Sequence, residues 1–290
     1  MRRIVRIAVY HFWKGFQLEE LYARFPCLAL KYQLIADQEH PDLVVFSAFA
    51  DNVRQDPMPT PPDRGVPTLF LTNESLAPDL TRCDFAITFR RDIDNPRHLR
   101  IPNWVQRLGY WGYSPDDLLC CRRSFGEPGN RFCGYLCRNR VPLREEFFRT
   151  LARRAPVDSP GLSMNNMPGI GHGTPAKLEF LRHRRFTIAF ENESSDGYST
   201  EKLPDAWLAG SVPLYWGDPL VALDFNPDAY LDLKNYRSLD EMADAVITLD
   251  MNTAAWQRKR GEPVYLNDTL PTCADPQRTL AFWETVLGEH

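Results

Sequence analysis

The sequence predicts an α/β protein built from two open sheets, and three observations carry that prediction. Short apolar runs with strand character alternate with helical or loop segments along the chain. The alternation breaks once, between Gly109 and Asn130, where "GYWGYSPDDLLCCRRSFGEPGN" is turn-rich and aperiodic and reads as an interdomain connection. The 290 residues are more than one simple core needs and enough for two ordinary domains.

The elements follow in order. "RIVRIAVYHF" reads as a buried strand, and "QLEELYARFPCLALKY" has helical spacing as far as Pro26. "KYQLIAD" and "PDLVVFSAF" are two further strands. The Pro-rich "QDPMPTPPDRGVP" cannot sustain ladder bonds, and "TLFLTNES" and "CDFAITFRR" return to strand character. The second unit opens with "RFCGYLCRN" as a strand, then "LREEFFRTLARRA" as a helix. The Gly/Pro/Asn loop "DSPGLSMNNMPGIGHGTP" leads into a helix, "AKLEFLRHRR", and a strand, "FTIAFEN". "TEKLPDAWLAG" reads as a helix capped by Thr200 and stopped by Gly210, with the strand "SVPLYWG" behind it. "AYLDLKNY" and helices in "SLDEMADAVITLD" and "DPQRTLAFWETVLG" complete the chain. The domain bounds drawn from this pattern are 1–128 and 129–275, with a C-terminal helix over 276–290.

Composition narrows the function. A net charge of −4 gives no global basic field, which argues against nucleic acid as the main partner. Seven cysteines, an odd number at irregular spacing in a large chain, read as reduced thiols. Cys133 and Cys137 have no second cluster at zinc-ligand spacing. "MRRIVRIAVYHFW" reads as a first strand rather than a signal peptide. No stretch approaches the roughly 18–20 apolar residues of a spanning helix. The expected location is cytoplasmic, with peripheral attachment at the inner membrane left open.

The densest polar stretch is "FENESSDGYSTEKLPDAWLAGSVPLYWGDP", Phe190 to Pro219, between two apolar strands. In open α/β sheets, ligands bind at the C-terminal ends of strands. A helix start beside such an end offers free N–H groups and a partial positive charge. Lys202 in the first turn is disfavoured by the helix dipole unless an anion is near. Glu201 can accept hydrogen bonds from a ribose diol, and Tyr198 can offer a flat face to a base or sugar. Together these suit a nucleotide, with its diphosphate on Lys202 and backbone amides. The competing reading is a capped helix with a solvated lysine.

This stretch resembles the donor-binding signature of the α-1,3/4-fucosyltransferases, glycosyltransferase family 10, in their bacterial form. The matching positions are Phe190, Glu191, Asn192, Tyr198, Thr200, Glu201, Lys202, Asp205, Ala206, Pro213, Tyr215 and Gly217. The likeness runs on through "DPLVALDFNPDAYLDLKNYRSLDEMADAV". It is weaker upstream, in "DFAITFRRDIDNPRHLRIPNW" and "RNRVPLREEFFRTLARRAPVDSPG". The resemblance implies a GT-B architecture, two Rossmann-like domains facing a central cleft, with acceptor binding in 1–128 and GDP-fucose binding in 129–275. It also implies transfer of L-fucose from GDP-fucose, with inversion, to a GlcNAc- or Glc-containing acceptor such as lactose or N-acetyllactosamine, in α-1,3 or α-1,4 linkage.

The resemblance assigns roles residue by residue. Lys202 contacts the diphosphate and Glu201 the guanosine ribose, while Asn192, Tyr198 and Thr200 belong to the same donor pocket. Arg144, in "VPLREEFF", matches the family arginine on the phosphates, where a bidentate guanidinium suits growing negative charge. An inverting transfer also needs a base on the acceptor side. Glu74, after the strand "TLFL", is that candidate, and Glu191 is the runner-up acid.

Other features get smaller readings. "DID" at Asp92 to Asp94 imitates an Asp-x-Asp metal signature but sits outside the donor motif, so no metal and no cofactor is assigned. "GIGHG" around His172 lacks full dinucleotide spacing and reads as a loop. "YHFW", Tyr10 to Trp13, is either an acceptor floor or ordinary packing. The animal enzymes' N-terminal anchor, and the heptads and basic tail of some bacterial ones, have no counterpart in this stretch, which leaves oligomeric state open. The alternatives are a related transferase with another nucleotide sugar and a catalytically silent GDP-sugar-binding protein.

Overall fold

The computed structural model describes residues 2–50, 52–120, 129–171 and 173–289. The chain forms two compact units, residues 1–113 with 272–290, and residues 114–271.

The first unit opens with β1 (Arg3–Tyr10), α1 (Glu20–Arg24), α2 (Leu28–Lys31), β2 (Tyr32–Ala36) and β3 (Leu43–Phe46). The predicted first helix ends before Pro26, which cannot supply an amide to a continuing ladder, and α2 is a separate short helix beyond it. A small antiparallel pair follows, β4 (Phe49–Ala50) and β5 (Val53–Arg54). Then come β6 (Thr68–Leu71), β7 (Phe85–Thr88), β8 (His98–Arg100) and α3 (Asn103–Tyr110). The main sheet is parallel, in the order β2-β1-β3-β6-β7-β8.

Alternation along these strands feeds two cores. Leu43, Val45, Leu69, Leu71 and Ile87 pack with Leu21, Phe25 and Leu28 from the helices. Phe46, Phe70 and Ala86 join a second cluster with Met58, Leu76 and Cys83. β3 and β6, at the sheet centre, are apolar at nearly every position because both faces are covered, which is why they are legible as continuous runs.

The second unit runs α4 (Pro115–Cys120), β9 (Arg131–Gly134), α5 (Pro142–Ala152), β10 (Val157–Asp158), α6 (Thr174–Arg182), β11 (Arg184–Phe190), α7 (Lys202–Leu208), β12 (Val212–Trp216), β13 (Leu231–Asp232), α8 (Leu239–Met251) and α9 (Thr253–Arg260). Its sheet is parallel too, in the order β10-β9-β11-β12-β13. Phe186, Ile188, Phe190, Val212 and Leu214 pack with Phe147, Leu151, Met242, Val246 and Trp256. α7 ends in a Schellman motif: Ser211 N–H bonds Ala206 O at 2.9 Å and Gly210 N–H bonds Trp207 O at 2.9 Å. Gly210 takes φ +74°, the conformation for which its lack of a Cβ suits it.

Two expectations change. The connector drawn over Gly109 to Asn130 contains α4, a six-residue helix too short to show a period; its remainder over 121–128 lies outside the described residues. The bounds 1–128, 129–275 and 276–290 also differ from the observed division, which falls after Tyr113 and returns residues 272–290 to the first unit. That return has a physical cause. The last helix, α10 (Pro276–Val286), buries Phe282, Trp283 and Val286 in the first unit's core, with the Trp283 ring 5.8 Å from that of Phe25. No helix among the described residues is long and apolar enough to cross a membrane.

Candidate active site

In the second unit the chain leaves β9 toward β10 on one side and returns to β11 on the other. The crevice outside the carboxyl ends of β9 and β11 is therefore the topological switch point, the usual ligand position in such sheets. Arg144 reaches it from the first turn of α5, where Pro142 pre-sets the helical φ. Asn192 reaches it from the end of β11. They meet directly: Arg144 Nη2 donates to Asn192 Oδ1 at 2.9 Å. Arg144 is 1% exposed, and its Nη1 donates to Cys137 Sγ at 3.2 Å.

Beside Arg144, Glu145 accepts from Arg140 Nε at 2.7 Å, Arg149 Nη2 at 3.1 Å and Ser163 Oγ at 3.2 Å. Arg140 above all holds this carboxyl down to about 2. It is a fixed anion that ties the turn carrying Arg144 to the loop at Ser163.

The motif after β11 folds around Glu191. This carboxylate is 0% exposed. It accepts from Thr200 N at 2.7 Å, Thr200 Oγ1 at 2.7 Å and Lys202 Nζ at 2.8 Å. Lys202 Nζ also donates to Thr200 Oγ1 at 2.9 Å, and a Glu201 oxygen lies 3.9 Å away. Gly217 makes room for this carboxylate, since a Cβ there would stand 2.4 Å from Glu191 Cγ and 2.7 Å from the Tyr215 hydroxyl. Asp218 Oδ1 accepts from Gly197 N and Leu220 N, each at 2.8 Å, and Ser194 Oγ donates to Gly217 O at 2.7 Å. The loop after β11 is thus pinned to the loop after β12.

Neighbouring side chains set the charge balance of this site. Burial pushes the Lys202 ammonium down, but Glu191, with Glu201 in support, more than reverses it, and the net direction is up. One turn on, Asp205 is 3% exposed and burial raises it to about 6 against the opposing pull of Lys177 on α6.

The structure brings Arg144 and Asn192 into contact, and Thr200, Glu201 and Lys202 into one cluster with Glu191. Tyr198 is 6% exposed, so it does not present an open face. Thr200 is not the helix cap expected from sequence: α7 begins at Lys202, and Thr200 spends both its N–H and its hydroxyl on Glu191. That amide is consequently not available to a phosphate. Glu191, the runner-up acid, is a buried acceptor of three hydrogen bonds.

In the first unit Glu74 follows β6, half-buried, with its N–H donated to Thr72 Oγ1 at 3.1 Å. The aromatic run after β1 packs on itself, with Phe12 stacked on Phe16 at 3.9 Å and Trp13 edge-on to Phe16 and Phe49. Arg90 holds Asp92 through Nε at 2.7 Å. Among the described residues no group of three or more His, Cys, Asp or Glu is placed to hold a metal. His172, inside the Gly-rich loop, lies outside the described residues.

Sequence reasoning named Gly217 as a motif position without its role, and missed Asp218 and Cys137 as parts of this site and Lys177 as the partner of Asp205. Only Gly217 left a signal, a glycine closing the strand of the recognised motif.

With the geometry in place, comparison with known proteins is decisive. The family model for the glycosyltransferase family 10 (fucosyltransferase) C-terminal region matches residues 136–259. The model for the α-(1,3)-fucosyltransferase FucT N-terminal domain matches residues 7–106. The chain belongs to glycosyltransferase family 10. It is 28% identical to the Helicobacter pylori α-(1,3)-fucosyltransferase FucT over 218 residues, 65% of this chain and 45% of that protein. The match thus spans less than half the length of that relative. A crystal structure of an α1,3-fucosyltransferase with GDP-fucose superposes with a TM-score of 0.80 at 25% identity, covering 99% of this chain and 91% of the other. Anabaena HepE, solved with UDP and glucose, shares the GT-B fold at a TM-score of 0.57 and 10% identity, over 97% of this family 10 chain and 99% of its own.

Proposed function

We propose that this chain is an inverting fucosyltransferase that moves L-fucose from GDP-β-L-fucose to a hydroxyl of a GlcNAc- or Glc-containing glycan. The observation that carries this reading is the likeness, over 99% of this chain, to an α1,3-fucosyltransferase solved with GDP-fucose, joined to a buried arginine and a half-buried lysine near the second unit's strand ends. Glu74 takes the proton of the acceptor hydroxyl. The freed oxygen attacks the sugar's anomeric carbon as the bond to the β-phosphate oxygen breaks, so β becomes α. GDP departs with one more negative charge, which Lys202 and Arg144 stabilise. Glu201 holds the ribose, and Asn192 keeps Arg144 aimed.

In this reading two fixed cations supply the charge that a divalent ion supplies elsewhere, so turnover is expected to survive EDTA. The linkage is α-1,3 or α-1,4. Product-linkage analysis with GDP-fucose and a panel of lactose and N-acetyllactosamine acceptors tests the reading. Faster turnover of GDP-mannose or a UDP-sugar would overturn the donor assignment, and GDP binding without any transfer would make the chain a silent binder.

A further inference from the structure

We propose that Glu191 is a positioning residue for donor binding, one that aims the Lys202 ammonium at the diphosphate. The inference rests on the reading of Lys202 as the diphosphate contact. It deepens that reading by giving a role to a residue which that reading leaves without one.

An ammonium has three N–H donors. Two of those on Lys202 are spent inside the protein, on Glu191 Oε2 and Thr200 Oγ1. Two fixed bonds define the direction of the third, which makes no hydrogen bond among the described residues. A lysine on a flexible stem is thereby held as a directed donor, in a site where its side chain is 18% exposed.

The geometry has three independent supports. Thr200 donates its N–H and its hydroxyl to opposite oxygens of the same carboxylate, which fixes the plane of Glu191. Glu191 N–H bonds Trp216 O at 2.7 Å, so the residue is anchored to the strand next door. Gly217 leaves open the volume that Glu191 fills, and any side chain there would collide with it. A carboxylate merely neutralising a nearby lysine would need none of these.

Lys202 is faced by Glu191 from the end of β11, by Glu201 just before its helix and Asp205 on it, and by Arg144 from α5. Glu191 alone of the three acids bonds to it directly. Without that carboxylate, burial and Arg144 would both favour the neutral amine.

The test uses the full chain with GDP as probe, in wild type, Glu191→Gln and Glu191→Asp. Calorimetry reads GDP affinity, and NMR of labelled lysine reads the Lys202 ionisation, assigned by its absence in Lys202→Met. Glu191→Gln is expected to weaken GDP about tenfold or more and to lower the Lys202 titration by roughly two pH units, within the range known for buried lysines. Glu191→Asp keeps the charge but retracts it by one methylene. It is expected to weaken GDP several-fold while Lys202 titrates as in wild type. Wild-type GDP affinity in either variant overturns the inference, and the aspartate variant carries the test alone if the glutamine one does not fold. If the wild type does not bind GDP, the proposed function falls. The lysine titration then still decides whether Glu191 governs Lys202.

Discussion

Two carboxylates stand just past the C-terminal ends of parallel strands, one in each unit, and their surroundings are opposite. Glu191 follows β11, is fully buried, and accepts three hydrogen bonds from Thr200 and Lys202. Glu74 follows β6 and is half-buried, in a loop that its own N–H ties back to the Thr72 hydroxyl. The switch points differ as well. In the second unit β9 and β11 flank it, and the arginine–asparagine contact spans it. In the first unit β1 and β3 flank it, and the side chains there are aromatic, Trp13 and Phe49. A carboxylate that must take and release a proton needs access, whereas one that must hold a cation needs enclosure. On the proposed mechanism, the two units divide those tasks between residues of the same type.

The largest effect that could break this comparison is at Glu74. Removing a general base typically costs 10²–10⁴-fold in rate. Glu74→Gln is therefore expected to lower kcat by about 10²–10⁴ and leave GDP affinity within about twofold, measured by turnover and calorimetry on one preparation. Near-normal turnover would remove Glu74 from the chemistry.

The units should separate in stability too. Trp283 is fully buried in the first unit, contributed by a helix that the chain brings back after the second is complete. Truncating a buried Trp to Ala costs about 3–5 kcal/mol. Trp283→Ala is expected to destabilise the first unit by that amount while GDP affinity persists at temperatures below its unfolding. A parallel loss of GDP binding in the folded protein would show that the last helix supports the donor site as well.

At Lys202 the expected effect is smaller, because Arg144 remains. A hydrogen bond to a charged group contributes about 1.5–3 kcal/mol, roughly 10- to 150-fold in affinity. Lys202→Ala should weaken GDP by that factor in calorimetry. An unchanged affinity would leave Glu191 enclosing a cation with no ligand to meet.

How far the sequence foretold this depends on the range of each interaction. Inner strands such as β3 and β6 were legible because burial on two faces leaves apolar residues at nearly every position, as in "LVVF" of β3; the short edge strands β8 and β10, "HLR" and "VD", were not. Gly210 marked the end of α7 because its φ is a local demand. The return of α10 to the first unit was not legible, since periodicity tells a helix which face it buries and not against what. Thr200 looked like a cap because hydroxyl residues before helices usually are caps; an acceptor from nine positions upstream took its donors instead. The burial of Glu191 was hidden for the same reason. An acid in a polar loop reads as solvated until its donors are known.

The smallest predicted effect concerns pH and uses Asp205, another buried acid of the second unit. Burial raises its folded-state pKa from 3.8 to about 6, with Lys177 pulling the other way. The folded protein then holds this proton more tightly than the unfolded chain. The stability it contributes is fully present below about pH 4, is lost as pH rises through about 6, and stays level above that. Glu145 slopes oppositely: held down to about 2, its contribution is present above its ordinary value of 4.5 and is lost as pH falls toward 2. A melting curve of the wild type alone mixes the two, so the difference between Asp205→Asn and wild type is the informative quantity. That difference should rise by about 1–3 kcal/mol in favour of the variant between pH 4 and pH 7, because a tenfold change in proton affinity between the folded and unfolded chain corresponds to about 1.36 kcal/mol. A flat difference would mean that the Lys177 ion pair fully offsets the cost of burying the Asp205 carboxylate.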